Sequence, residues 1–149
     1  MSDNLLQLNN IHTFIGQFHI LEGVSVEVKR GGISVLLGRN GAGKTTTLRS
    51  IIGLNTVSQG NITYHGQSLL ETAVHKIAQQ GIGYVPEHRA IFKELTVREN
   101  LEIAGRKGGD FERKSDFIFG LFPDLKRLIT LPGGNLSGGQ QQMLSIARA

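Results

Sequence analysis

Residues 38–45 have the sequence Gly38-Arg39-Asn40-Gly41-Ala42-Gly43-Lys44-Thr45, which fits the phosphate-loop pattern G-x-x-x-x-G-K-[ST]. The apolar run at residues 33–37 precedes this stretch and has the composition of a buried strand. Residues 45–52 follow it with helix-forming residues and are bounded by Gly53. Strand, glycine loop and helix in this order are the context that the pattern requires, so the stretch predicts a nucleotide-binding α/β core.

The residue types of this loop suit a triphosphate. Glycine has no Cβ, so the backbone at three glycines can curl around the phosphates and direct N–H groups inward. The N-terminus of the following helix adds a partial positive charge. We expect Lys44 to reach the β- and γ-phosphates of ATP as a catalytic residue, and the Thr45 hydroxyl to bind Mg²⁺. The predicted nucleotide-binding residues are Gly38, Arg39, Asn40, Gly41, Ala42, Gly43, Lys44, Thr45 and Thr46.

Composition and charge narrow the functional classes. The chain has 149 residues, of which 39% are hydrophobic and 19% charged, as in globular proteins. The absence of cysteine excludes disulfides and thiolate metal sites. No signal peptide is recognisable, and no apolar run approaches the roughly 20 residues of a membrane span, so any membrane association is predicted to be peripheral. The net charge is +4, but the basic residues are scattered, and nucleic acid is not a predicted partner.

The order of the remaining elements predicts two domains. Residues 5–8, 24–28 and 62–64 are predicted strands of an antiparallel region, and residues 33–37 and 82–85 are predicted core strands. A short helix is predicted at residues 73–80. After residue 87 the pattern is helical, with helices predicted at 97–104, 112–122 and 124–130 and a loop at 107–110. Thr96 and Glu99 have the spacing of a capping box at the start of the helix predicted at 97–104. The predicted domains are residues 1–86, an ATP-binding core, and residues 87–149, a helical subdomain.

A second glycine-rich motif lies near the end of the chain, Leu136-Ser137-Gly138-Gly139-Gln140. Ser137 and Gln140 have the spacing of a capping box at the start of a helix. Capping alone does not require two glycines in the first turn, where each costs up to about 1 kcal/mol of helix propensity. The two glycines leave backbone N–H groups accessible to a ligand, so this motif is a second candidate phosphate contact.

Taken together, residues 38–45 and 136–140 resemble the ATP-binding subunits of ABC transporters, in which the second stretch is the signature motif. The resemblance covers the whole chain. Two further runs are similar to the subgroup that imports branched-chain amino acids, which sits beside the urea and short-amide importers. These runs are Gly83-Tyr84-Val85-Pro86-Glu87 and Leu95-Thr96-Val97-Arg98-Glu99-Asn100-Leu101. The resemblance implies a phosphate-loop NTPase cassette: an antiparallel β region, RecA-like core strands and an α-helical subdomain.

The resemblance also implies a function and partners. It implies an ATPase that powers an importer from the cytoplasmic face of the prokaryotic inner membrane. A second ABC ATPase subunit is expected to pack head to tail, so that Ser137, Gly138, Gly139 and Gln140 cover the γ-phosphate in the other subunit's loop. Transmembrane permease subunits are expected to dock on residues 87–100 around Ile91, Phe92 and Leu95, and a periplasmic solute-binding protein to take part indirectly.

The sequence departs from the family pattern at three places. Glu87 stands where the family usually has Gln, and as a carboxylate it is predicted to bind Mg²⁺ and act as a catalytic residue. Ile15 stands where an aromatic residue usually stacks on adenine, which leaves Phe14 and Phe18 as candidates. The chain ends inside the signature helix, before the family's Walker B strand and catalytic Glu. The 149 residues are therefore expected to be a fragment that binds ATP without turnover.

Other functions remain open from the sequence. One is a soluble ABC-type ATPase in translation or repair, although no stretch between Lys44 and Ser137 has room for the insertions usual in that class. Another is a nucleotide-binding module without turnover. The same transporter subunit could also serve urea or short amides, because an ATP-binding subunit does not touch the transported solute.

Overall fold

The computed structural model describes residues 4–105 and 109–149. The chain divides into two compact units, Met1–Ile82 and Gly83–Ala149. The domain boundary predicted between residues 86 and 87 stays a prediction for the complete protein. Among the described residues, no helix combines the length and the apolar character needed to cross a bilayer.

The first unit contains an antiparallel sheet of four strands. Its strands are β1 (Asn4–Ile15), β2 (Phe18–Lys29), β3 (Val57–Tyr64) and β4 (Gln67–Ser68), and their order across the sheet is β2-β1-β3-β4. The predicted antiparallel region is confirmed, and its strands are longer than the apolar alternation indicated. Gly60 of β3 has a φ of 91°, and a Cβ there would lie 2.3 Å from the Asn10 carbonyl oxygen, so the irregular β1–β3 pairing requires glycine.

The core of the first unit lies on one face of this sheet. Helices α1 (Lys44–Ile51) and α2 (Val74–Gln79) belong to the same unit. The buried residues of this core form one aliphatic cluster: Leu8, Ile11, Leu21, Ile62, Leu69 and Ile77. Burial of a large aliphatic side chain stabilises a fold by about 1.5–3 kcal/mol, so this cluster supplies much of the stability of the unit.

The predictions of core strands at residues 33–37 and 82–85 are wrong. Neither residues 33–37 nor residues 82–85 make strand hydrogen bonds. Ile33, Val35 and Leu37 are 95%, 72% and 84% exposed. A strand exists only when a neighbour supplies hydrogen bonds, and the described residues hold no strand that pairs with 33–37. The apolar run predicted a buried segment, but residues 33–37 are exposed, because an apolar pattern does not specify a pairing partner.

The second unit is helical, as predicted. It contains α3 (Val97–Ala104), α4 (Asp110–Leu121), α5 (Pro123–Arg127), a 3₁₀ turn (Gly133–Asn135) and α6 (Gly138–Arg148). Of the predicted loop at 107–110, residues 107 and 108 lie outside the described residues, and Asp110 already belongs to α4. The buried core of this unit consists of Val97, Leu101, Leu125, Leu136 and Leu144.

One buried polar side chain organises the entry to α3. Asn100 is 0% exposed, and its amide nitrogen donates to the carbonyl oxygens of Phe92 (2.8 Å), Leu95 (3.1 Å) and Thr96 (3.0 Å). Its amide oxygen accepts the Phe92 N–H at 2.9 Å. The predicted capping box is confirmed next to it, since the Thr96 hydroxyl accepts the Glu99 N–H and the Glu99 carboxylate accepts the Thr96 N–H. Asn100 thereby holds residues 92–96 against the helix.

Candidate nucleotide-binding site

The glycine loop leads directly into α1, so the loop and helix of the predicted motif are present, whereas the strand predicted before them is not. Gly43 is the N-cap residue of α1 and has a φ of 85°, in the left-handed region that favours glycine. A Cβ at this position would lie 2.7 Å from Leu21 Cδ2 of β2. Both the backbone conformation and the packing against β2 therefore require glycine at residue 43.

Lys44 places its charge against the loop. Its Nζ donates hydrogen bonds to the carbonyl oxygens of Gly38 and Arg39, both at 2.8 Å. The ammonium group is thus held by the backbone of the loop that it follows. In residues 43–47, no side chain caps α1 and no acidic residue stands in its first turn. The positive end of the helix dipole and the Lys44 charge consequently coincide, which favours a polyanion at this place.

The remaining loop residues are ordered by local contacts. The Ala42 N–H donates to the Arg39 carbonyl oxygen at 3.2 Å and forms a tight turn. Arg39, Asn40 and Gly41 are exposed, and Gly41 has a φ of 84° with no atom within 4 Å of an added Cβ. The backbone at Gly41 is therefore open to approach. Binding of a triphosphate by these residues stays a prediction.

The three threonines at the start of α1 differ in their surroundings. Thr46 and Thr47 are buried, whereas Thr45 is partly exposed. The Thr47 hydroxyl donates to the Gly43 carbonyl oxygen at 2.9 Å and so ties the first turn to the loop. Sequence reasoning did not single out this contact, because a helix-interior threonine shows no pattern that distinguishes it. Phosphate binding by Thr46 and Mg²⁺ binding by Thr45 stay predictions.

The signature stretch forms the N-terminus of α6. The predicted capping box is confirmed: Ser137 Oγ accepts the Gln140 N–H at 3.3 Å, and Gln140 Oε1 accepts the Ser137 N–H at 2.9 Å. An added Cβ at Gly139 would meet no atom within 4 Å, so this turn is open on the side of Gly139. At Gly138, an added Cβ would lie 3.4 Å from the Arg89 guanidinium. The turn can be approached closely at Gly139.

Glu87 belongs to the second unit and is exposed. It lines a cavity of ≈ 360 Å³ together with His88, Arg89, Ile91, Lys93 and Gln141. Ile91 also packs against the helical core, and Phe92 is 45% exposed beneath the Arg148 guanidinium. Partial burial lowers the pKa of the Arg148 guanidinium below its ordinary value. The part of Glu87 in metal binding stays a prediction.

The candidate adenine contacts lie at the tip of the β1–β2 hairpin. Phe14, Ile15 and Phe18 are 47%, 49% and 65% exposed. The Phe14 ring stacks on the His19 ring, with centroids 4.2 Å apart and planes within 8°. His19 in turn shares a 3.0 Å hydrogen bond with His12. The hairpin tip therefore offers aromatic surface, and the choice between Phe14 and Phe18 stays open.

The glycine loop, the lysine folded onto it and the uncapped helix define a phosphate-loop nucleotide-binding protein. Comparison with known proteins gives the family. The family model described as ABC transporter matches residues 21–149. The chain belongs to the ABC transporter family and is an ATP-binding subunit by type, which confirms the resemblance seen in its motifs.

Two curated relatives carry the name of a branched-chain amino acid system. The chain is 40% identical over 147 residues to the high-affinity branched-chain amino acid transport ATP-binding protein BraG of Pseudomonas aeruginosa, covering 97% of this chain and 63% of BraG. It is 38% identical over 135 residues to the probable branched-chain amino acid transport ATP-binding protein LivF of Archaeoglobus fulgidus, covering 89% and 57%. It is also 34% identical to the sulfate/thiosulfate import ATP-binding protein CysA of Pectobacterium atrosepticum, covering 97% and 45%.

Solved structures confirm the fold class. The chain superposes on an ATP-binding subunit of an ABC transporter with a TM-score of 0.83 and 30% identity, covering 97% of this chain and 61% of that one. A nucleotide-free ATP-binding cassette of an ABC transporter gives a TM-score of 0.83 at 27% identity, covering 98% and 64%. The chain thus spans less than two thirds of the length of these relatives.

Proposed function

We propose that the complete subunit binds MgATP through residues 38–46 and hydrolyses it to drive an importer. The observation that carries the proposal is the Lys44 ammonium, held on the Gly38 and Arg39 carbonyl oxygens at the N-terminus of α1. A triphosphate entering this loop exchanges those carbonyl contacts for phosphate oxygens, which are stronger partners for an ammonium group. Gly43 permits the backbone to turn its N–H groups towards the same place.

Each predicted residue has a distinct part in this reaction. Lys44 neutralises charge on the β- and γ-phosphates, and the loop backbone fixes their position. The Thr45 hydroxyl and the Glu87 carboxylate are hard oxygen ligands of the kind that Mg²⁺ prefers. The bound Mg²⁺ supplies charge neutralisation on the transferred phosphoryl group. The 149 residues alone are proposed to bind ATP without useful turnover, because the water-orienting carboxylate expected in this family follows the signature helix.

The proposed partners begin with a second ATP-binding subunit. Ser137, Gly138 and Gly139 are exposed at the first turn of α6, and an added Cβ at Gly139 would meet no atom within 4 Å, so this turn can contact a phosphate held by another molecule. A head-to-tail pair related by a two-fold axis gives each nucleotide one loop and one signature turn. We propose that two such subunits close over two ATP molecules at the cytoplasmic face of the membrane.

The membrane partners are proposed to be permease subunits. The cavity lined by Glu87, Ile91 and Lys93 offers apolar and charged contacts to a short helix, and Phe92 supplies exposed aromatic surface. Charge substitution at Phe92 in the complete subunit is expected to reduce solute uptake while ATP binding persists. A periplasmic solute-binding protein would act indirectly through the permease.

The proposed solute is a branched-chain amino acid. The support comes from the names of BraG and LivF, together with the runs at residues 83–87 and 95–101. Relatives named for sulfate and for Fe(3+) import are 34% and 35% identical, so the names of relatives at similar identity differ in solute. Uptake of labelled leucine, urea and sulfate by a strain lacking this gene, with and without the restored gene, separates the alternatives.

A mixed-dimer experiment tests the arrangement of the ATP sites. The complete subunit is prepared as Lys44→Ala and as Gly138→Asp, which place one defect in the loop and one in the signature turn. Each homodimer has two defective sites, whereas the mixed dimer keeps one site with an intact loop and an intact signature. ATP is expected to promote crosslinking of the mixed pair but of neither variant alone. Equal crosslinking in all three samples would contradict the proposed contribution of α6 to the partner's nucleotide.

A further inference from the structure

The segment that follows Glu87 is fastened to α6 through its backbone. The Arg89 carbonyl oxygen accepts a hydrogen bond from the Ser145 hydroxyl, and the Ala90 carbonyl oxygen accepts one from the Arg148 guanidinium. Arg89 and Ala90 have φ values of 64° and 45°, both in the left-handed region that non-glycine residues rarely adopt. This unusual turn directs two successive carbonyl groups at one helix.

The side chain of Arg89 reaches the other end of the same helix. Its Nη1 donates to Gln141 Oε1 at 3.3 Å, and its guanidinium lies 3.4 Å from the position of a Cβ on Gly138. The Gln141 amide nitrogen donates to the carbonyl oxygens of Gly133 (3.3 Å) and Leu136 (3.2 Å). Gln141 therefore connects Arg89 to the backbone that immediately precedes the signature turn.

We propose that Arg89 is a positioning residue that fixes the first turn of α6 relative to the segment carrying Glu87. The inference rests on the proposed function, in which Glu87 serves the nucleotide of its own subunit and Ser137 serves that of the partner. Arg89 lies two residues after Glu87, and its bond to Gln141 ends beside the carbonyl group that precedes Ser137.

The hydrogen bonds around the first turn of α6 indicate that the Arg89 side chain fixes this turn from outside the helix. The capping box already closes the first turn of α6 from within the helix. The link from Arg89 to Gln141 adds a hold from outside the helix, since the two residues are 52 positions apart in the chain. Loss of the guanidinium should leave α6 folded, because Leu144 remains buried and both capping bonds remain. What is lost is the fixed placement of the turn.

The first experiment measures this placement without nucleotide. Complete subunits are prepared as wild type, Arg89→Met, Arg89→Lys and Arg127→Met, the last a matched control at an arginine that is 78% exposed. Amide hydrogen exchange is followed by mass spectrometry in peptides that span residues 133–142. We expect exchange there to accelerate about fivefold or more in Arg89→Met, to be largely restored by Lys, and to be unchanged in Arg127→Met. Wild-type exchange in Arg89→Met would overturn the proposal.

The second experiment separates binding from turnover. In Arg89→Met the Kd of the monomer for ATP is expected to stay within about twofold, whereas kcat for ATP hydrolysis falls about five- to twentyfold, a range typical of coupled sites. Arg89→Lys is expected to recover part of kcat. An equal loss in Kd and kcat, or an unchanged kcat, would overturn the proposal. Failure of the wild-type subunit to bind ATP would instead overturn the proposed function. The exchange experiment would still test whether Arg89 fixes the first turn of α6.

The third comparison uses the residue that receives the bond. If Arg89 acts through Gln141, then Gln141→Met lowers kcat by a similar factor, and adding Arg89→Met to it has little further effect. If the effects of the two substitutions on kcat were fully additive, Arg89 would not act through Gln141. If Arg89→Met does not fold, Gln141→Met tests the proposal by itself, because it removes the hydrogen bond between Arg89 and Gln141 and leaves the Arg89 backbone turn intact.

Discussion

Replacement of Asn100 by Ala tests how the helical unit is held together. The side chain is fully buried and makes four hydrogen bonds to the backbone of residues 92, 95 and 96. The substitution removes all four while leaving α3 with a good helix former. The loss of stability in Asn100→Ala therefore reports the contribution of the Asn100 hydrogen bonds rather than a change in helix propensity.

The magnitude follows from which groups lose their partners. The Leu95 carbonyl oxygen keeps the Gly133 N–H at 2.8 Å, and the Thr96 carbonyl oxygen keeps the Asn100 N–H at 2.9 Å. The Phe92 N–H and the Phe92 carbonyl oxygen lose the contacts that Asn100 supplies. Both contacts are only part-buried, and an ordinary hydrogen bond contributes about 0.5–1.5 kcal/mol net, so the loss of the two predicts a destabilisation of about 1–3 kcal/mol.

Urea unfolding of the complete subunit, combined with amide exchange in residues 97–101, measures this loss. Asn135→Ala is the matched control, because Asn135 is exposed and a surface substitution of this kind changes stability by about 0.5 kcal/mol or less. Exchange in α3 should accelerate in Asn100→Ala and not in the control. A loss below about 1 kcal/mol in Asn100→Ala would refute the reasoning, since it would mean that water or another group satisfies Phe92.

Three further predictions concern helix starts. The Thr96 hydroxyl and N–H lower the pKa of Glu99 below its ordinary 4.5. The stabilising contribution of Glu99 is therefore complete above that pH and is lost as pH falls through the folded-state pKa, so the thermal-stability advantage of wild type over Glu99→Gln should shrink as pH is lowered below 4.5. Gly43→Ala should abolish ATP binding in a fluorescent-nucleotide titration, because its Cβ meets Leu21, and intact binding would argue against the loop geometry. Thr47→Val should lower stability by about 1 kcal/mol in urea unfolding, and no change would mean that its bond to Gly43 is unimportant.

Local patterns were the most predictable part of this molecule. The two capping boxes and the helix at residues 97–104 depend on residues three or four positions apart, and the structure confirms them. The phosphate loop was recognised for the same reason. Residues 33–37 failed as a strand because strand formation depends on a distant partner, which the apolar run itself does not encode.

The contacts that depend on tertiary structure were missed. Asn100 was noticed only as part of the run at residues 95–101. Its role depends on hydrogen bonds to backbone groups that approach it only in the folded unit. Arg89 showed no signal, because no pattern predicts two consecutive non-glycine residues with positive φ. Such positions become visible only when the backbone is known, and they are the places where function is often located.

The exposed apolar segment at residues 33–37 has a consequence for the order of events during protein synthesis. The hairpin of β1 and β2 forms from neighbouring residues, and β3 joins it soon afterwards, so most of the sheet can assemble early as the chain leaves the ribosome. Residues 33–37 emerge between these strands but find no pairing partner among them. We therefore expect this stretch to stay unpaired during translation, when crowded nascent chains that expose the same segment can associate through it.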